Sequence, residues 1–259
     1  MAELDKERIR RSFERAATTY DAYARVQTEL AHVLAAHIED PPGSILELGC
    51  GTGTLTAHLR ERFPAARLVA VDFAPAMAAR TRERVPDAEV LVADIDALAL
   101  EERFDLTISS ATIQWLAAPE HTLPRLAAGC DRLLLGTFGP RTFWELDAAF
   151  AELGLERGFP LRSAEAWSAL VPGSVATTTS ERVVEYDSCG AFLEAVRAVG
   201  ASSGGPRVSA GELAAIMRCY DERFARPGGV QATYELVVLD ALARGDAFTT
   251  PSAWNQRSV

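Results

Sequence analysis

The stretch SILELGCGTGT, residues 44–54, joins a short apolar run to a glycine-rich turn, and a helical pattern follows it at residues 55–63. Gly49, Gly51 and Gly53 stand at alternate positions, which lets the backbone turn tightly and lets a ligand approach where a β-carbon would clash. The N-terminus of the following helix directs unpaired N–H groups toward such a ligand. The stretch therefore predicts a strand, a ligand-binding turn and a helix.

Further apolar runs alternate with helical patterns along the rest of the chain. Strands are predicted at residues 44–49, 68–72, 88–94, 104–112, 132–138, 178–187 and 232–243, and helices at 5–39 with a break at 17–21, 55–63, 74–85, 120–129, 141–153, 163–171, 189–199 and 209–225. Apolar strands spaced by helices are typical of an α/β fold with a mostly parallel sheet and helices on both faces. We expect seven strands, with the last joining the edge of the same sheet, and a flexible loop at 200–209.

The composition excludes several classes of protein. Of 259 residues, 48% are hydrophobic and 24% are charged, as is ordinary for a folded chain rather than a disordered or fibrous one. Lysine and arginine number 26 against 36 aspartate and glutamate, so the net charge is −10. A chain this acidic is a poor general binder of nucleic acid or anionic membrane, and we expect neither as a partner.

The cysteines and the N-terminal segment bear on location. Cys50, Cys130, Cys189 and Cys219 lack the close spacing of a zinc site, so we expect no metal and interpret the thiols as reduced. The first 30 residues carry charge throughout and lack the apolar run of a signal peptide. No window approaches the roughly 18 apolar residues of a membrane span. These features predict a cytoplasmic protein.

Acidic residues stand at the ends of three successive predicted strands. Asp72 is placed where an acid accepts hydrogen bonds from ribose hydroxyls, and Asp94 could accept one from the exocyclic amine of a base. A dinucleotide site would have glycine or alanine at position 54, where this chain has Thr54. Glu47 would repel a pyrophosphate but suits a cationic ligand. S-Adenosylmethionine, with its ammonium and sulfonium groups, therefore fits better than a nicotinamide dinucleotide.

Several segments carry a family resemblance. LELGCGTG (46–53), AVDFAPAM (70–77) and LVADI (91–95) are similar to the Rossmann-like class I S-adenosylmethionine-dependent methyltransferases. More narrowly, the chain resembles the malonyl-acyl-carrier-protein O-methyltransferases of the biotin pathway. The segments that carry this second resemblance are FERAATTYDAYARVQ (13–27), SSATIQWL (109–116), GTFGPRTFWEL (136–146), FLEAVRAVGAS (192–202) and YELVVLDALAR (234–244).

The resemblance implies methyl transfer from S-adenosylmethionine to the free carboxylate of a malonyl thioester on acyl carrier protein or coenzyme A, which leaves S-adenosylhomocysteine. A carboxylic acid with an ordinary pKa near 4 is already ionised at pH 7, so this chemistry needs no general base. A free small carboxylic acid or another small molecule remains an alternative acceptor. A third reading is a methyltransferase-like module that binds S-adenosylhomocysteine for regulation.

The resemblance also implies an organisation of the chain and a set of site residues. We expect an N-terminal helical lid at residues 1–40, a cofactor-binding core at 41–139, and substrate-lid helices, inserted before the last strand, with the remaining strands at 140–259. The expected cofactor-binding residues are Tyr20, Gln27, Glu47, Gly49, Cys50, Gly51, Gly53, Asp72, Phe73, Met77, Asp94, Ile95 and Ser110. The expected catalytic residues are Tyr20, Gln114 and Arg141.

The acceptor places two electrostatic demands on the chain. A malonyl carboxylate needs a cation, and Arg141 could grip it bidentately, although an ordinary surface role is the alternative for this arginine. An acidic carrier protein needs a local basic face on this acidic chain. The candidates for such a face are Lys6, Arg8, Arg10, Arg11 and Arg15 in the first helix, and Arg157 and Arg162 near the substrate lid.

Overall fold

The computed structural model describes residues 4–158, 161–201 and 208–242. The strands are β1 (Ser44–Leu48), β2 (Arg67–Asp72), β3 (Glu89–Val92), β4 (Phe104–Ser110), β5 (Cys130–Phe138), β6 (Ser174–Tyr186), β7 (Ala225–Arg226) and β8 (Gly229–Leu242). The α-helices are α1 (Lys6–Ala16), α2 (Tyr20–Tyr23), α3 (Arg25–Ala36), α4 (Thr54–Arg62), α5 (Pro75–Arg84), α6 (Pro119–Ala128), α7 (Trp144–Glu152), α8 (Ala164–Ser168), α9 (Cys189–Ala198) and α10 (Ala210–Arg223). Short 3₁₀ turns span Ile95–Ala97 and Ile113–Trp115.

One sheet contains all of these strands, in the order β3-β2-β1-β4-β5-β8-β6, with β7 paired to β8. β1 to β5 pair in parallel, whereas β8 runs antiparallel between β5 and β6. The predicted α/β fold with a mostly parallel sheet is therefore confirmed. The last strand joins β5 as expected, but β6 covers its other side and forms the edge of the sheet.

Two details of the sheet differ from the sequence-based expectation. The described residues contain an eighth strand, β7, because a two-residue ladder at Ala225–Arg226 closes a hairpin with β8. β6 begins at Ser174 rather than at residue 178, directly after Gly173, whose φ of +95° makes the turn. The predicted loop at 200–209 lies largely outside the described residues, as does everything after Leu242.

Apolar side chains on alternate positions of the strands face two separate clusters. Ile45, Leu106 and Leu134 point to one cluster together with helix α3, whereas Leu46 and Leu133 point to the other with helix α6. Helices therefore cover both faces, as the alternating pattern of buried strands requires. Within the described ranges, no helix has the length and apolar character needed to cross a bilayer.

The contact between α3 and β5 tests this packing. Leu30 is fully buried, and its side chain lies within 3.0 Å of the position that a β-carbon on Gly136 would occupy. We expect Leu30→Ala to lower the free energy of unfolding by about 2–5 kcal/mol, because it leaves a cavity in a close-packed layer. Urea unfolding followed by circular dichroism measures the change. The control is Val183→Ala on β6, where 57% exposure predicts a change within about 0.5 kcal/mol; equal losses in both variants would contradict the packing.

Candidate active site

The glycine turn lies between β1 and α4 and is tied to β2. The amides of Gly49 and Cys50 both donate to the carbonyl of Val71, over 2.7 and 3.0 Å. Gly49, Gly51 and Gly53 have φ values of +72°, +56° and +84°, a region that favours glycine. The turn therefore has a conformation that few other residues could hold at these three positions.

The three glycines meet different surroundings. A β-carbon on Gly49 would overlap Thr112, and one on Gly53 would lie 3.1 Å from Thr81, so both positions are closed by protein. A β-carbon on Gly51 would meet nothing within 4 Å. Gly49 and Gly51 both border a cavity, which we call the loop cavity, and of the two Gly51 is the glycine beside which a ligand finds open space. Gly53 borders neither this nor the other cavities described below and serves to begin α4.

Glu47 lies at the end of β1, beneath the glycine turn. It is 1% exposed, and its Oε2 has no hydrogen-bond partner among the described residues. Burial raises the pKa of this carboxyl to about 8. It borders a small pocket, the Glu47 pocket, which is also lined by Tyr20, Gln27, Cys50 and Ser110. An unpaired buried carboxyl oxygen is costly, and a cationic group in this pocket would satisfy it.

Asp72, at the end of β2, shapes the turn and borders the loop cavity. Its two carboxyl oxygens accept hydrogen bonds from the amides of Gly51 (2.9 Å) and Ala74 (2.8 Å). Burial raises its pKa to about 6, and these two hydrogen bonds oppose the shift. Each carboxylate oxygen can accept more than one hydrogen bond, so Asp72 keeps acceptor capacity toward the cavity.

The far side of the loop cavity is an apolar slot with acids at its rim. Its lining includes Phe13, Phe73, Met77, Asp94, Ile95 and Trp115. The ring of Phe13 packs edge-on against Phe73 and Trp115, with centroids 6.3 and 5.8 Å apart. Such a slot fits the flat ring of a nucleobase, and the carboxyl group of Asp94 could accept from an exocyclic amine.

A second cavity of about 320 Å³, the large cavity, adjoins the loop cavity. The two share Phe13, Tyr20, Ala111 and Trp115. Most of its wall is apolar, with contributions from β5, α7, α9 and α10. Tyr20 borders the loop cavity, the Glu47 pocket and the large cavity. Burial raises the pKa of its phenol, and the negative charges of Asp72 and Asp21 add to the shift. The phenol therefore stays neutral.

Gln114 lies in the wall of the large cavity with its orientation fixed. Its Nε2 donates to the carbonyl of Ala111 (2.8 Å), and its Oε1 accepts from Thr137 Oγ1 (2.9 Å). One Nε2 hydrogen is left without a partner among the described residues.

The thiol of Cys50 offers no nucleophile. Burial raises its pKa well above the usual value, and the charges of Glu47 and Asp72 add to this shift. In the described ranges no group of three or more His, Cys, Asp or Glu side chains is placed to hold a metal ion.

Arg141, predicted to grip the acceptor carboxylate, lies at the surface. Its side chain is 58% exposed and pairs with Glu181. Its backbone amide donates to Glu235 Oε2 over 2.8 Å. Arg141 lines neither the loop cavity nor the large cavity. These two acids hold Arg141 at the surface beside β6 and β8, outside the lining of the large cavity.

Arg157, which the sequence offered only as a carrier-binding residue, does line the large cavity. It is 14% exposed and grips Asp147 through Nε (2.6 Å) and Nη2 (3.1 Å), and its guanidinium lies 5.7 Å from the ring centre of Phe143. Its Nη1 has no hydrogen-bond partner among the described residues. An acid ten positions before an arginine was the only sequence signal for this pair.

Comparison with known proteins agrees with this geometry. A family profile described as a methyltransferase domain matches residues 45–134. The chain is 39% identical over 252 residues to the malonyl-acyl-carrier-protein O-methyltransferase of Anoxybacillus flavithermus, covering 92% of this chain and 97% of the relative. It is 34% identical to the protein of the same name from Geobacter sulfurreducens, over 90% and 97% of the two chains.

Solved structures share the fold at low identity. A candidate methyltransferase from Bacillus halodurans superposes with a TM-score of 0.56 at 11% identity, over 84% of this chain and 98% of that one. A chain from the complex between the Haloferax volcanii Trm112 methyltransferase activator and a candidate methyltransferase matches with a TM-score of 0.55 at 15% identity. The match covers 93% of this chain and 99% of that one. These likenesses show the class I methyltransferase fold.

The raised pKa of Glu47 predicts a pH dependence of ligand binding. Below about pH 8 the carboxyl is protonated in the free protein. A bound ammonium favours the carboxylate, so binding releases a proton and affinity rises with pH. We expect the affinity for S-adenosylhomocysteine to rise severalfold from about pH 6.5 to about pH 8, and Glu47→Gln to abolish the slope. Calorimetry over this range measures both; an unchanged slope in the variant would contradict the role of Glu47.

Proposed function

Because this chain belongs to the malonyl-acyl-carrier-protein O-methyltransferase family, we propose that it transfers a methyl group from S-adenosylmethionine to the free carboxylate of a malonyl thioester on acyl carrier protein. The products are S-adenosylhomocysteine and a malonyl methyl ester, the starting unit for pimeloyl synthesis in the biotin pathway that the resemblance implies. The observation that carries the proposal is the junction of two cavities at Tyr20. One suits a nucleoside and the other suits an acyl group.

The residues of the loop cavity and the Glu47 pocket fit S-adenosylmethionine. Glu47 would hold the ammonium, Asp72 the ribose hydroxyls and Asp94 the adenine amine. Phe73, Met77 and Ile95 would pack on the base, and the backbone of Gly51 permits close approach. When bound, S-adenosylmethionine supplies a methyl group that its positive sulfur activates.

The protein has to align the acceptor carboxylate and exclude water, since no proton must be removed. Tyr20 lies where the two cavities meet, and its neutral phenol can donate a hydrogen bond toward the junction. Gln114 adds a second fixed donor to the wall of the large cavity. The surrounding aromatic and aliphatic side chains keep the reacting atoms dry.

Arg157 is the better-placed cation for the malonyl carboxylate. Although Asp147 neutralises part of its charge, the Nη1 edge remains available, and a charge-assisted hydrogen bond is stronger than a neutral one. Arg197 on α9 also lines the large cavity and is exposed, so it would face an acidic carrier at the opening.

The proposal also divides the chain into three parts. Helices α1 to α3 belong to the lid at residues 1–40, and the cofactor-binding core spans 41–139. The substrate-lid helices and the last strands belong to 140–259.

The acidic composition and the free cysteines support a cytoplasmic enzyme that binds neither nucleic acid nor membrane. The decisive experiment incubates the full chain with S-adenosylmethionine and malonyl-acyl carrier protein and follows the mass of the carrier. We expect the gain of one methyl group, and no gain on a carrier without the malonyl group. Malonyl-coenzyme A and free malonate are parallel acceptors. No gain on the carrier despite measurable cofactor binding would refute the proposal, and methylation of free malonate alone would establish the alternative.

The carboxylate clamp makes a separate prediction. We expect Arg157→Gln to raise the KM for malonyl-acyl carrier protein by about ten- to a hundredfold, the size of a lost charge-assisted hydrogen bond, with the affinity for S-adenosylhomocysteine unchanged. Steady-state kinetics and calorimetry measure the two. The matched control, Arg141→Gln, removes an exposed arginine that also pairs with a glutamate, and KM should stay within about twofold. A raised KM in Arg141→Gln, with an unchanged KM in Arg157→Gln, would contradict this prediction and assign the carboxylate to Arg141.

A further inference from the structure

Lys6 is the only lysine in the chain, since the other basic residues among the 26 are all arginines. It stands in the first turn of α1, and its side chain reaches across to border the loop cavity. There it lies beside Asp94 and Ile95, at the rim that the proposed function assigns to adenine. The sequence suggested Lys6 only as part of a basic face for an acidic carrier, and none of the cofactor roles proposed above uses this lysine.

The ammonium of Lys6 bridges two acids that follow β3. It pairs with Asp94 Oδ1 and with Asp96 Oδ2, the latter over 2.5 Å. Asp94 Oδ1 also accepts from the amide of Asp96 (3.0 Å). Asp94 Oδ2 has no hydrogen-bond partner in the part of the chain that the structure describes. The bridge therefore fixes the carboxyl group of Asp94 by one oxygen and leaves the other available.

Asp96 is held in a fixed position by further hydrogen bonds, and it therefore anchors Lys6. It also accepts from the amide of Ala117 (2.8 Å) and from Thr122 Oγ1 (2.6 Å). Burial tends to raise its pKa, but the hydrogen bonds from Lys6 and Thr122 outweigh burial and hold the pKa below its usual value. Asp96 is thus ionised and held in place, so the position of Lys6 is set by the core and not by α1 alone.

We propose that Lys6 is a positioning residue that holds Asp94 so that its free Oδ2 receives the exocyclic amine of adenine. This inference rests on the proposed function, which supplies the adenine. Phe13, two turns further along α1, packs on Phe73 and Trp115 in the same cavity. Helix α1 is therefore attached to the nucleoside site at two points, one ionic and one aromatic.

The chemistry of lysine explains why this position is not another arginine. An ammonium is a compact charge with three donors and can bridge two carboxylates that lie two residues apart. A guanidinium is planar and larger, and it suits side-on pairing with one carboxylate, as Arg132 makes with Asp240.

The test compares two ligands, S-adenosylhomocysteine and its analogue without the exocyclic amine, by calorimetry. Wild type should prefer the natural ligand by about tenfold or more, since the analogue leaves a carboxylate oxygen unpaired. In Lys6→Met and Asp94→Asn this preference should fall to about twofold, with a smaller loss in Lys6→Arg. The matched control is Arg11→Gln, which removes an exposed arginine paired with Glu7 within the same helix, and it should keep the full preference.

The outcomes separate this inference from the proposed function. Undiminished preference in Lys6→Met, with loss in Asp94→Asn, would overturn the role of Lys6 and leave the cofactor site intact. Failure of wild type to bind S-adenosylhomocysteine would refute the proposed function itself. If a variant does not fold, the role of Lys6 can be tested in wild type by acylating lysine with an N-hydroxysuccinimide ester. Tandem mass spectrometry should locate the label on Lys6 and show severalfold slower labelling with S-adenosylhomocysteine bound; equal rates would also overturn the inference.

Discussion

The parallel pairing of β1 between β2 and β4 is the constraint on which the site depends. Leu48 lies opposite Val71 on one side and Ser109 on the other, so three strands end at one edge of the sheet. The carbonyl of Val71 is then in reach of the Gly49 and Cys50 amides and fixes the turn. Glu47 and Asp72 come to lie on two sides of the same turn. A shift of one residue in this register would direct Glu47 to the opposite face of the sheet.

Local patterns in the sequence were enough to predict most of this arrangement. Apolar runs broken by a glycine turn identify β1 and α4, and the end of a parallel strand places Asp72 at the edge where ligands bind. The fold class and the cofactor therefore follow from short segments. The sequence also predicted catalytic roles for Tyr20 and Gln114, and both side chains line the large cavity.

Pairings between distant residues could not be predicted in this way. Arg141 follows β5 and seemed well placed, but Glu181 and Glu235, on strands that come later in the chain, hold it at the surface. Lys6 was one charge among several in a helix until its partners, 88 and 90 residues away, were known. Propensity and spacing describe neighbours along the chain, whereas both of these roles depend on tertiary contacts.

The structure also gives the net charge of −10 a meaning that composition alone did not. Acids are concentrated where a cationic ligand is expected, with Glu47, Asp72 and Asp94 around the glycine turn. Arg157 and Arg197 line the cavity proposed for an anionic acceptor. Acidic side chains thus line the side proposed for the cationic cofactor, and arginines line the side proposed for the anionic acceptor, which favours the two reactants on opposite sides of the junction at Tyr20.

A crystal structure of the complex with S-adenosylhomocysteine tests this account most directly. We expect the ligand ammonium within hydrogen-bond distance of Glu47 Oε2, and its sulfur beside Tyr20, facing the large cavity. An ammonium held elsewhere, or a sulfur turned away from that cavity, would contradict it.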